Sequence, residues 1–132
     1  PELAKTISGA DLVLFAGGST EGNGVHMDED FARTTRLGGR IAHGMLSASL
    51  ISAVLGNRLP GPGCIYMSQS LRFRAPVRPG DTVHAKVTVK EVFADKGRVA
   101  LETVCTVGDK VVIDGDAMLM PTSRSKREAA GK

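Results

Sequence analysis

Arg40-Ile-Ala-His-Gly-Met-Leu-Ser-Ala-Ser-Leu-Ile-Ser-Ala-Val-Leu-Gly56 is the stretch whose reading decides the fold. From Gly44 to Leu55 it carries no charge. Leu46, Leu50, Ile51, Val54 and Leu55 recur at helical spacing, and Ser47, Ala48, Ser52 and Ala53 fill the gaps between them. An apolar stripe whose other faces hold only small residues predicts a helix buried nearly all round. Gly56 and Asn57 suit the left-handed residue just past its end. At ~1.5 Å rise per residue the helix spans roughly 20 Å, too short for a bilayer and right for a core. At its start, His43-Gly44 places a glycine N–H at the positive end of the helix dipole, where an anionic oxygen is favoured.

Downstream of Leu59-Pro-Gly-Pro-Gly63 the periodicity becomes that of strands. Ile65, Met67, Leu71, Phe73 and Ala75 alternate with polar neighbours and with Tyr66 across one long strand from Cys64 to Ala75. Val83, Ala85, Val87 and Val89 do so from Thr82 to Phe93, and Val99, Leu101, Thr103, Cys105 and Val107 follow from Arg98. Val111, Ile113, Gly115, Ala117 and Leu119 give the last strand, with turns at Pro79-Gly80-Asp81, Asp95-Lys96-Gly97 and Gly108-Asp109-Lys110. Four strands joined by short turns form an antiparallel meander, and its apolar face needs cover. The central helix is the long apolar element available to it. The expected class is therefore α+β: an antiparallel sheet wrapped around one long central helix, the hot-dog arrangement. An open sheet edge in such a layer predicts a homodimer.

Upstream, Ser8 with Asp11 reads as the capped start of a short helix through Leu12, Leu14, Phe15 and Ala16, ended by Gly17-Gly18. Ser19-Thr-Glu-Gly-Asn-Gly-Val-His26 is too rich in glycine for regular structure. Asp28 is expected to cap a single turn holding Phe31 and Ala32. At 132 residues, with 42% hydrophobic content, the chain makes one domain, taken as 1–123. Residues 124–132 read as a basic, flexible C-terminal tail, which carries part of the net charge of +3. No basic stripe interleaved with aromatics supports nucleic-acid binding, and no apolar run is long enough to span a membrane. Cys64 and Cys105 have no metal or redox spacing and read as buried, reduced thiols. With no signal-peptide pattern at the start, a cytoplasmic protein is expected.

Glu21 and His26 lie five residues apart on the glycine-rich loop. A carboxylate and an imidazole held together can grip one water and pass protons between it and a substrate carbon. From spacing alone, two solvent-exposed loop polars are the simpler reading. Asn23 between them, able to orient a neighbour, and the oxyanion-type donor at His43-Gly44 weigh against it. His26, His43 and His84 are scattered over unrelated elements, and no metal site is expected. His84, Lys86, Lys90, Arg72 and Arg74 read as plain surface on the outer faces of strands.

Phe15-Ala-Gly-Gly-Ser-Thr-Glu-Gly-Asn-Gly-Val-His-Met-Asp28 followed by Arg40-Ile-Ala-His-Gly-Met-Leu-Ser-Ala-Ser49 resembles the (R)-specific enoyl-CoA hydratases of the MaoC-like family. The likeness continues through Leu59 to Val77 and Pro79 to Val83, in order and without large gaps. The resemblance implies the hot-dog fold, a dimer, and addition of water to trans-2-enoyl-CoA to give (R)-3-hydroxyacyl-CoA. It implies no cofactor beyond the coenzyme A of the substrate. By position it assigns His26 as the family's catalytic histidine and Gly44 as the glycine whose N–H meets the thioester oxygen. Asn23, Ser47, Ala48, Ser52 and Leu55 are the expected substrate-binding residues. The family motif runs Gly-Asp-x-Asn-Pro-x-His, so this chain departs from it with Thr20 for Gly, Glu21 for Asp and Gly24 for Pro. Glu21 keeps the acid and extends it by a methylene, and Gly24 frees an angle that proline fixes. An acyl-CoA thioesterase and a catalytically impaired acyl-thioester-binding protein are the competing readings of the same fold.

Overall fold

The computed structural model describes residues 1–122; the C-terminal tail expected at 124–132 lies outside them. In chain order the elements are β1 (Glu2–Thr6), α1 (Gly9–Ser19), α2 (Gly24–Met27), α3 (Glu29–Arg33) and α4 (Gly44–Asn57). They are followed by β2 (Ile65–Gln69), β3 (Arg72–Phe73), β4 (Thr82–Phe93), β5 (Arg98–Val107) and β6 (Lys110–Met120). One antiparallel sheet runs β1-β4-β5-β6-β2, with β3 also pairing β6.

The charge-free stretch is α4, and it packs on β1, β4 and β5. Ser47, Ala48, Leu50, Ile51, Val54 and Leu55 are its buried face. They share one core with Val83, Ala85 and Val87 of β4, Leu101 and Cys105 of β5, and Ile113, Ala117 and Leu119 of β6. Burial lifts the Cys105 thiol to about 11. The expectation of burial all round is corrected: Met45, Ser49, Ser52 and Gly56 form an exposed stripe along one side. The sheet of a single chain covers α4 from one side only. Gly56 and Asn57 do not sit past a left-handed end either. The helix runs through both to Arg58, and its last carbonyls accept from Arg58 N at 2.9 Å, Leu59 N at 3.1 Å and Gly61 N at 3.0 Å. With those acceptors satisfied, the left-handed residue is deferred to Gly61, at φ 91°.

At the start of α1, the Ser8 hydroxyl accepts from Asp11 N at 3.1 Å and Ser8 N donates to the Asp11 carboxylate at 2.9 Å. That backbone bond holds the Asp11 carboxyl below its usual range. Gly17-Gly18 does not end this helix. It continues to Ser19 and stops at Thr20, which takes the left-handed conformation at φ 66°. An exposed glycine costs a helix only about 1 kcal/mol, too little to stop one already packed.

β1, too short and polar to stand out in the sequence, pairs Glu2–Thr6 with Thr82–Lys86 of β4. The long strand expected from Cys64 to Ala75 is two, broken at Ser70-Leu71. Ser70 turns its carbonyl over Gly115 of β6, where a Cβ would collide with that oxygen. The Asp116 N–H donates to the Ser70 hydroxyl at 2.9 Å, which fixes the crossing. The apolar residues of this segment are not covered as the alternation required: Ile65 is 57% exposed, Met67 40% and Phe73 54%. β2 is the sheet edge, with no neighbour beyond it among the described residues. Two bulges reassign the remaining exceptions. One between Val89 and Glu91 shifts the alternation so that Val92, opposite Val99, shares the face of Val89, opposite Leu101, though both are exposed at that end of the sheet, and one at Cys105/Thr106 buries Val112 in place of Val111.

Candidate active site

The glycine-rich stretch expected to be irregular from Ser19 to His26 is so from Thr20 to Asn23, while Ser19 ends α1 and Gly24 to His26 belong to α2. Asn23 caps α2, its side-chain Oδ1 accepting from Val25 N at 3.1 Å. Gly24 is then the first helical residue rather than a free hinge, and a Cβ there would lie 2.8 Å from the Phe31 ring. Asp28 ends α2 and caps α3, accepting from Phe31 N at 3.1 Å. The segment is strapped to the chain that leads into α4. Ile41 N donates to the Val25 carbonyl at 3.0 Å, and Arg40 Nε to the His26 carbonyl at 2.7 Å.

These straps bring His26, on α2, beside the start of α4. His26 is buried, and its Nδ1 lies 2.8 Å from the Ile41 carbonyl. A carbonyl only accepts, so Nδ1 carries a proton and Nε2 is the nitrogen turned to the site. Glu21 Oε2 stands 3.5 Å from His26 Nε2, with the Glu21 side chain 57% exposed. Gly44 opens α4, so its N–H belongs to the first turn, where amides have no partner within the helix. The ring of Phe73 lies over it, close enough that a Cβ at 44 would be 2.6 Å from Phe73 Cε1. Glu21, His26, Gly44 and Ser47 line one cavity of about 500 Å³, whose walls include Phe73 and Ile113.

The expected site residues thus divide. Glu21, His26, Gly44 and Ser47 converge on the cavity, and Asn23 stands beside it as the cap of the histidine's helix. Ala48 and Leu55 lie in the core behind, and Ser52 is on the exposed stripe of α4. The histidines are not scattered as the sequence suggested. His26 and His43 stack, with ring centroids 4.0 Å apart and planes at 25°, and only His84 stands elsewhere, exposed on β4. Arg74, read from the alternation as plain surface, lines the cavity and pairs with Asp114 at 3.0 Å. In the sequence His43 stands out only by its place before Gly44. The signal it offered was a lone large polar residue at the mouth of an otherwise uncharged apolar helix.

Glu21, His26 and His43 present donor atoms within 4.8 Å of one another, a set that could be read as a metal site. Their geometry argues against it. His43 Nε2 lies 3.0 Å from the Glu21 carbonyl and spends its hydrogen there. Two nearly parallel rings 4.0 Å apart do not aim lone pairs at one ion.

Residues 1–114 match the family described as MaoC like domain. The chain belongs to this family. An (R)-specific enoyl-CoA hydratase of Rhodospirillum rubrum is 59% identical over 92% of this chain and 85% of its own length. A 3-hydroxybutyryl-CoA dehydratase of Methylorubrum extorquens is 53% identical over 89% of this chain and 74% of its own length. The solved (R)-hydratase of Aeromonas caviae superposes with a TM-score of 0.90 at 40% identity, covering 92% of this chain and 93% of that one. This MaoC-like domain therefore has the hot-dog fold, with α4 as the filling and the curled sheet around it.

Proposed function

We propose that this MaoC-like domain adds water to trans-2-enoyl-CoA thioesters, giving (R)-3-hydroxyacyl-CoA. One observation carries the reading: a carboxylate and an imidazole face each other 3.5 Å apart on the wall of a cavity of about 500 Å³ that also holds the first residue of α4. A water between Glu21 Oε2 and His26 Nε2 is polarised by both. As its oxygen bonds the β-carbon, one group takes a proton from it and the other gives a proton to the α-carbon. The proton count of the pair is unchanged at the end of the cycle. The thioester oxygen gains charge in between, and the Gly44 N–H at the start of α4 is the donor we assign to it. Addition of water changes no net oxidation state, so coenzyme A, carried by the substrate, is the only cofactor required. The relatives named hydratase and dehydratase fit one reaction run in opposite directions.

Ser47 is the small residue proposed to border the acyl chain, with Ala48 and Leu55 setting the depth from behind. Ser52 can take part only if a second subunit covers the exposed stripe of α4. We propose that one does: the β2 edge, with Ile65, Tyr66 and Met67 exposed, is the sheet edge a homodimer would close. A solution mass of two chains at micromolar concentration is the expected result, and a monomer contradicts it. No helix among the described residues is long and apolar enough to cross a membrane. A cytoplasmic enzyme acting on soluble acyl-CoA is the corresponding proposal.

Crotonyl-CoA tests the reaction directly. Loss of enoyl absorbance without free thiol is expected. Thiol release would indicate the thioesterase, and binding with neither signal the impaired binding protein. Glu21→Gln keeps the size of the side chain and removes its proton acceptor, and should lower the rate about 1,000-fold. A variant that retains full rate removes Glu21 from the mechanism.

A further inference from the structure

The buried imidazole of His43 is not used by the hydration scheme. It is 1% exposed, packs against Phe15 at 4.8 Å and stacks on His26 at 4.0 Å. A phenyl or leucyl side chain could fill such a place. It would also avoid what the histidine leaves: His43 Nδ1 is buried with no hydrogen-bond partner among the described residues, as is Ser47 Oγ one turn along. Unmet buried polar atoms are costly, so packing alone does not favour histidine here.

The other nitrogen supplies the reason. His43 Nε2 lies 3.0 Å from the main-chain oxygen of Glu21, a bond across 22 residues. The acceptor is a carbonyl, so the ring proton is on Nε2. The same nitrogen is 3.5 Å from Glu21 Oε2, as far as His26 Nε2 is. The remaining ties of Glu21 are weak or local. Its N–H donates to the Ser19 hydroxyl at 3.2 Å, Thr20 before it is left-handed, and its side chain is more than half exposed.

We infer that His43 is a positioning residue for the acid: it clamps the Glu21 main chain to the start of α4 and sets the carboxylate between two imidazoles. The inference rests on the hydration reading for its consequence, but the clamp itself can be measured without turnover. Fixing the main chain decides where a carboxylate one methylene longer than the family's ends up, and displacements near 1 Å can change a rate about 100-fold.

His43→Phe keeps an aromatic ring against Phe15 and His26 and removes the donor. His43→Gln loses the ring but carries an amide N–H of about the same reach as Nε2. With crotonyl-CoA, His43→Phe should lower kcat about 100-fold and leave KM within about twofold, and His43→Gln should recover to within about tenfold of the parent. In a Glu21→Gln background, His43→Phe should cost little more, because it acts through Glu21. Amide hydrogen exchange over residues 19–25 should quicken about tenfold in His43→Phe and stay near the parent in His43→Gln. If His43→Phe does not fold, His43→Asn, whose amide falls short of the carbonyl, takes its place. Unchanged kcat and loop exchange in the donor-free variant overturn the inference. So does a His43→Gln variant as impaired as His43→Phe with an equal loss of melting temperature, which marks mere packing. A parent protein that does not hydrate crotonyl-CoA, yet whose loop loosens only in the donor-free variant, loses the hydration reading and keeps the clamp.

Discussion

His43 and Gly44 stand at the head of a helix whose inner face is sunk in the core, whereas Glu21 stands on a loop with its side chain 57% exposed. One side of the site is built on a long element packed by the sheet. The other is held by a cap at Asn23, straps from Arg40 and Ile41, and the His43 bond. A donor that must meet developing charge belongs on the fixed side, where no reorganisation is needed as charge appears. The acid we propose to grip water can tolerate a movable support only if something re-anchors it. The difference shows where this chain could change its chemistry and where it could not.

The fixed side should break hardest. His43 has φ −58° and ψ 133°, an extended conformation that a following proline accepts, and the first helical position tolerates proline. Gly44→Pro therefore keeps α4 and deletes the N–H. Gly44→Ala keeps the N–H and shares the same 2.6 Å conflict with the Phe73 ring, which is 54% exposed and free to swing. Proline should be slower than alanine by about 100- to 1,000-fold in kcat with crotonyl-CoA, the usual worth of one oxyanion donor. Equal rates in the two variants would remove this amide from the site.

A smaller effect is expected on the movable side, and its sign reverses what the resemblance implies. Restoring the family's aspartate at 21 looks like a repair. With the main chain tied to His43, however, Glu21 Oε2 already stands 3.5 Å from both imidazoles, longer than a charge-assisted hydrogen bond. Shortening the side chain lengthens both gaps. Glu21→Asp should lower kcat about tenfold, read from initial rates. A faster variant would show the loop following the shorter side chain, and the two sides would then be less different than they look.

The smallest effect is on stability. Thr20 is β-branched at φ 66°, next to the acid. Thr20→Gly removes that strain and should raise stability by about 1 kcal/mol in chemical denaturation, with kcat within about threefold. A large loss of rate would show that the strain itself holds Glu21 in place.

The two sides also differ in how far they could be read. α4 was legible because five apolar residues at helical spacing and an unbroken absence of charge admit one interpretation. The register of β4 and β5 followed from plain alternation as far as the bulges, which carry no pattern of their own. Glu21, His26 and Gly44 were named from a motif, yet their approach depends on a bond from residue 41 to residue 25 and another from 43 to 21. Such ties join segments whose spacing has no period. Ile65, Met67 and Phe73 carried the alternation of buried residues, and the single chain leaves them uncovered. Alternation records that a face is meant to be covered and says nothing of what covers it.

Gly115 shows a last consequence. The chain crosses it so closely that the Ser70 carbonyl occupies the place of any Cβ, and the obstructing atoms, from Ser70 and Leu71, are all backbone. In a mutational scan scored by activity, position 115 should be as intolerant as Glu21, the acid we propose, because every replacement shifts β3 and with it Phe73 over Gly44. A ranking of positions by lost function would place this glycine among the reacting groups, though it carries no side chain to react. Intolerance at 115 would thus measure the clearance between two strands, and only the chemistry of individual replacements at 21, 26 and 44 can tell the two kinds of indispensability apart.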